Sequence, residues 1–426
     1  MILSSARSLS LFPPLKFVFI RVARRARRAR RDSWLNLLVL TLGLADPSSA
    51  ASIFSINDAT EFAKIIDTNS VPITNAFLDT WLEGPVWMPQ SGGFLIFSEV
   101  ANNRLRKLVP PNTVTDYYTP AANTKCNGNM LDAQERLITS QAGSAALRVA
   151  MVSNGVAIPL VTQYTNGLKF YSPNDLAIKS DGSIWFTDPG YDSGLPLPPP
   201  YGGSVPSGFQ PGLYVYRFYQ SNGNATVLQV ITNLSRPNGI CLSPDEKKLY
   251  VADTANTPGI IKVFDITGSN TVQNGTTFCT VQSGVPDGIK CDVNGRIWSS
   301  AGDGVEIFAP DGHLIGKILL TRTANLCFGG PQYKTLYMVG QPYVTSIPVR
   351  VPGAVSMRKL AFSKTGSNLK LSWPAPSTGF ALYESEGLGS GNIWSNVPVS
   401  PAPTNGVNEV TVIATNPQRF YRLRLN

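Results

Sequence analysis

Asp287-Gly288-Ile289-Lys290-Cys291-Asp292-Val293-Asn294-Gly295-Arg296-Ile297-Trp298 contains the plan of the chain. A carboxylate opens the stretch, a short apolar run follows, a polar turn spans 292–295, and a second apolar pair closes it at Ile297-Trp298. Two apolar runs about a polar, glycine-bearing turn read as a β-hairpin. The same order begins at Glu83-Gly84, Asn127-Gly128, Asn174-Asp175, Asn238-Gly239 and Asn325-Leu326, with second pairs at Leu95-Ile96, Leu137-Ile138, Ile184-Trp185, Leu249-Tyr250 and Leu336-Tyr337. The lead residues are separated by 44, 47, 64, 49 and 38 positions, close to the roughly 40–50 residues of a four-stranded propeller blade. The pattern predicts an all-β protein, a six-bladed β-propeller, with six lead side chains in a ring at one mouth of the channel. All six offer a side-chain oxygen and two are carboxylates. Such a ring reads as a metal cage.

Composition narrows the chemistry. At 43% hydrophobic and 15% charged, the chain of 426 residues is globular. Its net charge of +9 is concentrated, because residues 1–51 hold nine basic side chains against Asp32 and Asp46. The remainder is nearly neutral, so no nucleic-acid partner is expected. A basic stretch ending at Arg31, an apolar run from Trp34 to Ala45 and the small residues Ser48 to Ala51 have the order of a secretory signal peptide. The run is shorter than the ~20 residues that span a bilayer. Residues 1–51 are therefore expected to be a leader, and the protein secreted, periplasmic or at the cell surface, without stable membrane insertion after processing.

Five scattered cysteines with no CxxC spacing point to buried free thiols. His313 is the only histidine and lies in the turn Pro310-Asp311-Gly312-His313. That argues against a Ser-His-Asp triad, a Cys-His dyad or a multi-histidine zinc site. Carboxylates, amides, hydroxyls and a metal are left to do the work.

Residues 52–82 are expected in part to pair with the last blade and close the ring, leaving no open sheet edge. Residues 52–355 would form the propeller. Its third repeat carries a Pro/Gly-rich insertion from Pro189-Gly190-Tyr191 to Pro211-Gly212, long enough to shape a pocket. From about Met357 the character changes. Asn368 to Pro374, Val410 to Val412 and Tyr421 to Leu425 alternate apolar with polar residues, so residues 356–426 read as a small β-sandwich accessory module that binds a surface or another protein.

Several motifs in order are similar to a known family. They are Leu82-Glu83-Gly84-Pro85-Val86-Trp87, Ser172-Pro173-Asn174-Asp175-Leu176, Phe186-Thr187-Asp188-Pro189, Arg236-Pro237-Asn238-Gly239-Ile240, Pro286-Asp287-Gly288-Ile289, Gly302-Asp303-Gly304-Val305 and Asn325-Leu326-Cys327-Phe328-Gly329-Gly330. Over about residues 80–350 the chain resembles the gluconolactonase, senescence-marker-protein (regucalcin) and luciferin-regenerating enzyme family. The resemblance implies a six-bladed propeller with one divalent metal at the channel mouth, hydrolysing lactones or related esters. It implies Glu83, Asn238 and Asp287 as metal ligands, Asn174 as a ligand or neighbour of metal and substrate, and Asp287 as general base. Asn127, Asn174, Asp188 and Tyr191 are expected on the substrate side, where a lactone or sugar acid would bind. A hard-oxygen site of this kind suits Ca²⁺, with Mg²⁺, Mn²⁺ or Zn²⁺ as alternatives.

Two departures touch the substrate side. The stretch Thr139-Ser140-Gln141-Ala142-Gly143 lacks the histidine that bacterial family lactonases often carry, and Ser172 replaces an arginine of the regucalcin branch. Competing readings are a secreted binding protein with a structural cation, and a hydrolase of another ester class such as phosphotriesters. For Asn127 and Asn325, simple capping of a hairpin is the alternative to a role in the site.

Overall fold

Every repeat folds as an antiparallel sheet, and four of the six are built wholly of strands consecutive in sequence. The computed structural model describes residues 52–426 apart from 222, 269–270, 355–359, 375–379, 388–392, 398–401, 405–406, 414–418 and 426. The expected leader lies outside the described residues. Six sheets occupy the region from Phe54 to Pro348, and their inner strands are Leu82–Met88, Cys126–Leu131, Leu176–Ile178, Pro237–Leu242, Ile289–Cys291 and Thr323–Gly329. Each inner strand touches the next, and Thr323–Gly329 touches Leu82–Met88. The arrangement fits a propeller.

Burial explains the hydropathy pattern. The inner strand Leu82–Met88 and its neighbour Phe94–Glu99 are buried throughout, while the outer strands Thr113–Tyr118 and Val156–Val161 are exposed or half-buried except at Val161. A strand covered on both faces reads as a continuous apolar run rather than an alternation. Successive sheets share clusters of these side chains. Phe170, Phe186 and Tyr216 pack with Ile138 between the second and third sheets, and Trp87 stacks on Tyr337 at 5.5 Å between the first and sixth.

Residues 52–82 contribute more than one closing strand. Phe54–Ile56 adds a fifth strand to the fifth sheet beside Leu314–Leu319, and Ile73–Phe77 becomes the outer strand of the sixth beside Tyr343–Pro348. The short helix Ala59–Ile65 joins them; it was not anticipated. Asp58 caps it by accepting from the Glu61 N–H at 3.0 Å, and its Phe62 and Ile65 are buried. Two chain regions about 270 residues apart thus share one sheet, which covers an edge that would otherwise be open.

The insertion forms no strand between Thr187 and Val215. All five cysteines are free and buried, and burial pushes the thiols of Cys241 and Cys327 up to about 12. His313 is exposed on its turn, with Nδ1 2.7 Å from Asp311 Oδ1. In the tail, the strands Ala361–Thr365, Asn368–Pro374, Val407–Ile413 and Ala402–Thr404 form one sheet; Ser395–Asn396, Phe380–Ser385 and Phe420–Leu425 form another. Leu371, Trp373 and Val410 of the first pack with Leu382 and Val397 in one small core.

Candidate active site

The six lead residues stand at the starts of the six inner strands and meet in sequence around them. Gly84 sits at φ +48°, and a Cβ there would lie 2.0 Å from the carbonyl oxygen of Asn127. At Gly239 a Cβ would lie 2.0 Å from the carbonyl of Asp287. The glycine after a lead residue therefore lets the next inner strand's lead backbone approach, a contact only glycine permits. The Gly128 N–H donates to Asn174 O at 2.8 Å, the Gly288 N–H to Ala324 O at 2.8 Å, and Asn325 Nδ2 to Glu83 Oε2 at 3.2 Å. The sixth lead residue thus returns to the first.

Glu83, Asn127, Asn174, Asn238 and Asn325 are buried, whereas Asp287 keeps accessible surface. Protein atoms crowd the Asp287 carboxylate itself. Glu83 receives Trp81 Nε1 and the Gly84 N–H, each at 3.2 Å, besides Asn325. Asp287 lies within hydrogen-bonding reach of both Asn238 and Glu83. Burial, and then the charge of Asp287, push the Glu83 carboxyl well above the usual range. Burial, and then Asp175, do the same to Asp287. Two carboxyls of like charge in a poorly hydrated place resist ionising together.

Those residues suit a hard divalent cation. Ionised together, Glu83 and Asp287 would place two negative charges side by side for a cation to neutralise, Asn238 stands beside them, and the buried Asn127 Oδ1 has no hydrogen-bond partner. Among the described residues no group of three or more His, Cys, Asp or Glu is arranged to hold a metal, so a cage here needs amide oxygens beside the carboxylates.

A family profile described as an SMP-30/Gluconolactonase/LRE-like region matches residues 81–341. The chain belongs to this family. The matched segment of this SMP-30/gluconolactonase-like chain includes all six lead residues. A gluconolactonase of Zymomonas mobilis is 29% identical over 331 residues, covering 70% of this chain and 88% of that protein. The structure of a gluconolactonase from Xanthomonas campestris superposes with a TM-score of 0.60 at 31% identity, covering 69% of this chain and 94% of that one. A calcium-binding protein, regucalcin, from Agrobacterium tumefaciens shares the fold at 20% identity and a TM-score of 0.51, over 66% and 93% of the two chains.

In this family member the other expected residues differ in their surroundings. Tyr191 is exposed, its hydroxyl is hydrogen-bonded to Thr254 Oγ1, it lies near Asn238, and Arg236 stacks on its ring at 3.7 Å. The start of the insertion therefore reaches the ring. Asp188, expected at the substrate, is fully buried, and its two oxygens receive the backbone N–H groups of Tyr171 and Ser172. Asp253 treats Ser235 and Arg236 in the same way one sheet later. Asp188 thus ties down the chain entering an inner strand and presents no oxygen to a ligand. Burial raises its carboxyl to about 7. Asn325 is more than a hairpin cap, since it both caps Leu326 N and holds Glu83. Ser172, in place of the arginine, donates to Ala142 O at 2.9 Å and accepts from Asp192 N at 3.1 Å, fastening the insertion to the second sheet.

Sequence reading missed four residues. Asp175 is buried at the ring and faces Lys290 Nζ at 3.4 Å. Asp192 accepts from Asn127 Nδ2 at 3.1 Å, and Arg236 packs over the ring of Tyr191. A signal existed for Asp175, which stands where four of the other leads have glycine. Lys290, Asp192 and Arg236 come close only through the fold.

Proposed function

We propose that this chain is a secreted, divalent-cation-dependent lactone hydrolase. Its six sheets would be the blades of a six-bladed propeller over residues 52–355, and residues 356–426 a sandwich module. The observation that carries the reading is the pairing of buried Glu83 with part-exposed Asp287 inside a ring of amides. Gluconolactonases among its relatives support lactones as the substrate class.

Glu83, Asp287, Asn238 and Asn174 would hold the cation, Ca²⁺ first among Mg²⁺, Mn²⁺ and Zn²⁺ by the hardness of the donors. When bound, it supplies Lewis acidity toward a carbonyl oxygen. Asp287, part-exposed beside Glu83, takes the proton of the attacking water in its ionised form. Asn238 orients that carboxylate. Tyr191 and Arg236 offer an O–H and guanidinium N–H donors to the hydroxyl or ring oxygens of a sugar lactone.

Assay of an aldonolactone panel with and without EDTA tests the reading. Turnover that EDTA abolishes and Ca²⁺ or another divalent cation restores is expected; chelator-resistant turnover, or none on any lactone, would sink it. Export predicts that N-terminal sequencing of secreted protein starts near Ala50 or Ala51, and a start before Trp34 contradicts it. The modular reading predicts that a chain ending at residue 355 keeps a cooperative melt and its activity. Loss of both would make the tail integral to the fold.

A further inference from the structure

A cavity of about 180 Å³ opens at the far ends of the inner strands, away from the lead-residue ring, and none of the six lead residues lines it. Its wall is largely apolar, with Trp87, Met130, Leu131, Leu242 and Phe328 among the lining residues. Rim charges are already engaged. Glu246 accepts from the Ser180 N–H at 2.7 Å, and Asp132 from Arg136 Nε at 2.6 Å. Lys290 also lines the cavity, and its ammonium forms an ion pair with Asp175 beside the ring. The Asp175–Lys290 pair therefore stands between the two ends of the channel.

An ammonium has three N–H donors. Two go to Asp175 Oδ2 at 3.4 Å and Ile289 O at 3.1 Å, and an ammonium so placed can offer its third to a ligand in the cavity. An apolar cavity of ~150 Å³ admits a benzene ring, so this one has room for a ring with a small substituent. A second carboxylate beside Asp175 would meet like charge, whereas a neutral carbonyl oxygen would not. From this juxtaposition we propose that the far end of the channel is a second ligand site, taking a small neutral molecule with an apolar body and one carbonyl oxygen bound to Lys290.

Calorimetric titration of the full chain with acetophenone, ethylbenzene and benzoate tests the site without reference to lactone turnover. Acetophenone should bind saturably at one site and at least about tenfold more tightly than ethylbenzene or benzoate, the advantage of a hydrogen bond to a charged donor. Lys290→Met should erase the preference for acetophenone over ethylbenzene and leave ethylbenzene binding within about twofold. Ala133→Phe, at a partly exposed turn residue lining the cavity, should weaken both ligands and carries the test if Lys290→Met fails to fold. No saturable acetophenone binding, equal acetophenone binding by Lys290→Met, or binding unaffected by Ala133→Phe overturns the proposal.

Discussion

A single proton decides much at Asp287. Asp287→Asn keeps the side-chain size and one ligand oxygen while removing the base and a charge, so the rate should fall at least about a hundredfold, the low end for a general base. Cation affinity should fall with it, because the Coulomb attraction weakens. Wild-type turnover by the cation-saturated variant would remove Asp287 from the mechanism. Asn325 presents the opposite lesson. As a hairpin cap it could be truncated with little effect on the site, but its amide donates to buried Glu83 at 3.2 Å. Asn325→Ala should destabilise the metal-free protein by about 1–3 kcal/mol, the range for leaving a buried acceptor short of a donor. Chemical denaturation in EDTA measures this, and an unchanged midpoint would return Asn325 to the role of a cap.

Among the elements, the insertion after Thr187 matters most to the site. It is anchored by the Asp192 N–H on Ser172 Oγ and by Asp192 Oδ2 on Asn127, which leaves Tyr191 stacked under Arg236 beside Asn238. A guanidinium stacked on a ring is held in one plane at little further entropy cost. If that plane receives substrate, Arg236→Ala should raise KM about tenfold and change kcat by less than about threefold. A fall in kcat at constant KM would instead place Arg236 in the chemical step. The period and the Pro/Gly composition marked the insertion as a loop. Its direction was not legible, because alternating strands carry successive loops to opposite ends of a sheet.

For the whole molecule, buried carboxyls set a pH dependence of stability. Asp188 is raised to about 7, and Glu83 and Asp287 also lie above their ordinary values. A carboxyl raised in the folded state binds protons there that the unfolded chain has released, so its contribution is complete below about pH 4 and is lost as pH rises through the folded value. In EDTA, Tm should therefore fall by roughly 5 °C or more between pH 5 and pH 8. Saturating cation should shrink the fall by holding Glu83 and Asp287 ionised; a Tm that rises with pH in EDTA would contradict the assignment. The sequence alone determined the repeat, its inner strands, the six lead oxygens and the buried thiols, because turn chemistry and hydropathy are local and the repeat restates them six times. Only the tertiary structure decided which of these oxygens come together. Asp188 and Asp287 are both acids in β-rich repeats, yet one is spent on backbone N–H groups and the other meets Glu83 and Asn238 and keeps part of its surface exposed. The approach of Lys290 to Asp175, across 115 residues of chain, likewise depends on inner strands from separate sheets coming together, where sequence distance has no bearing on spatial distance.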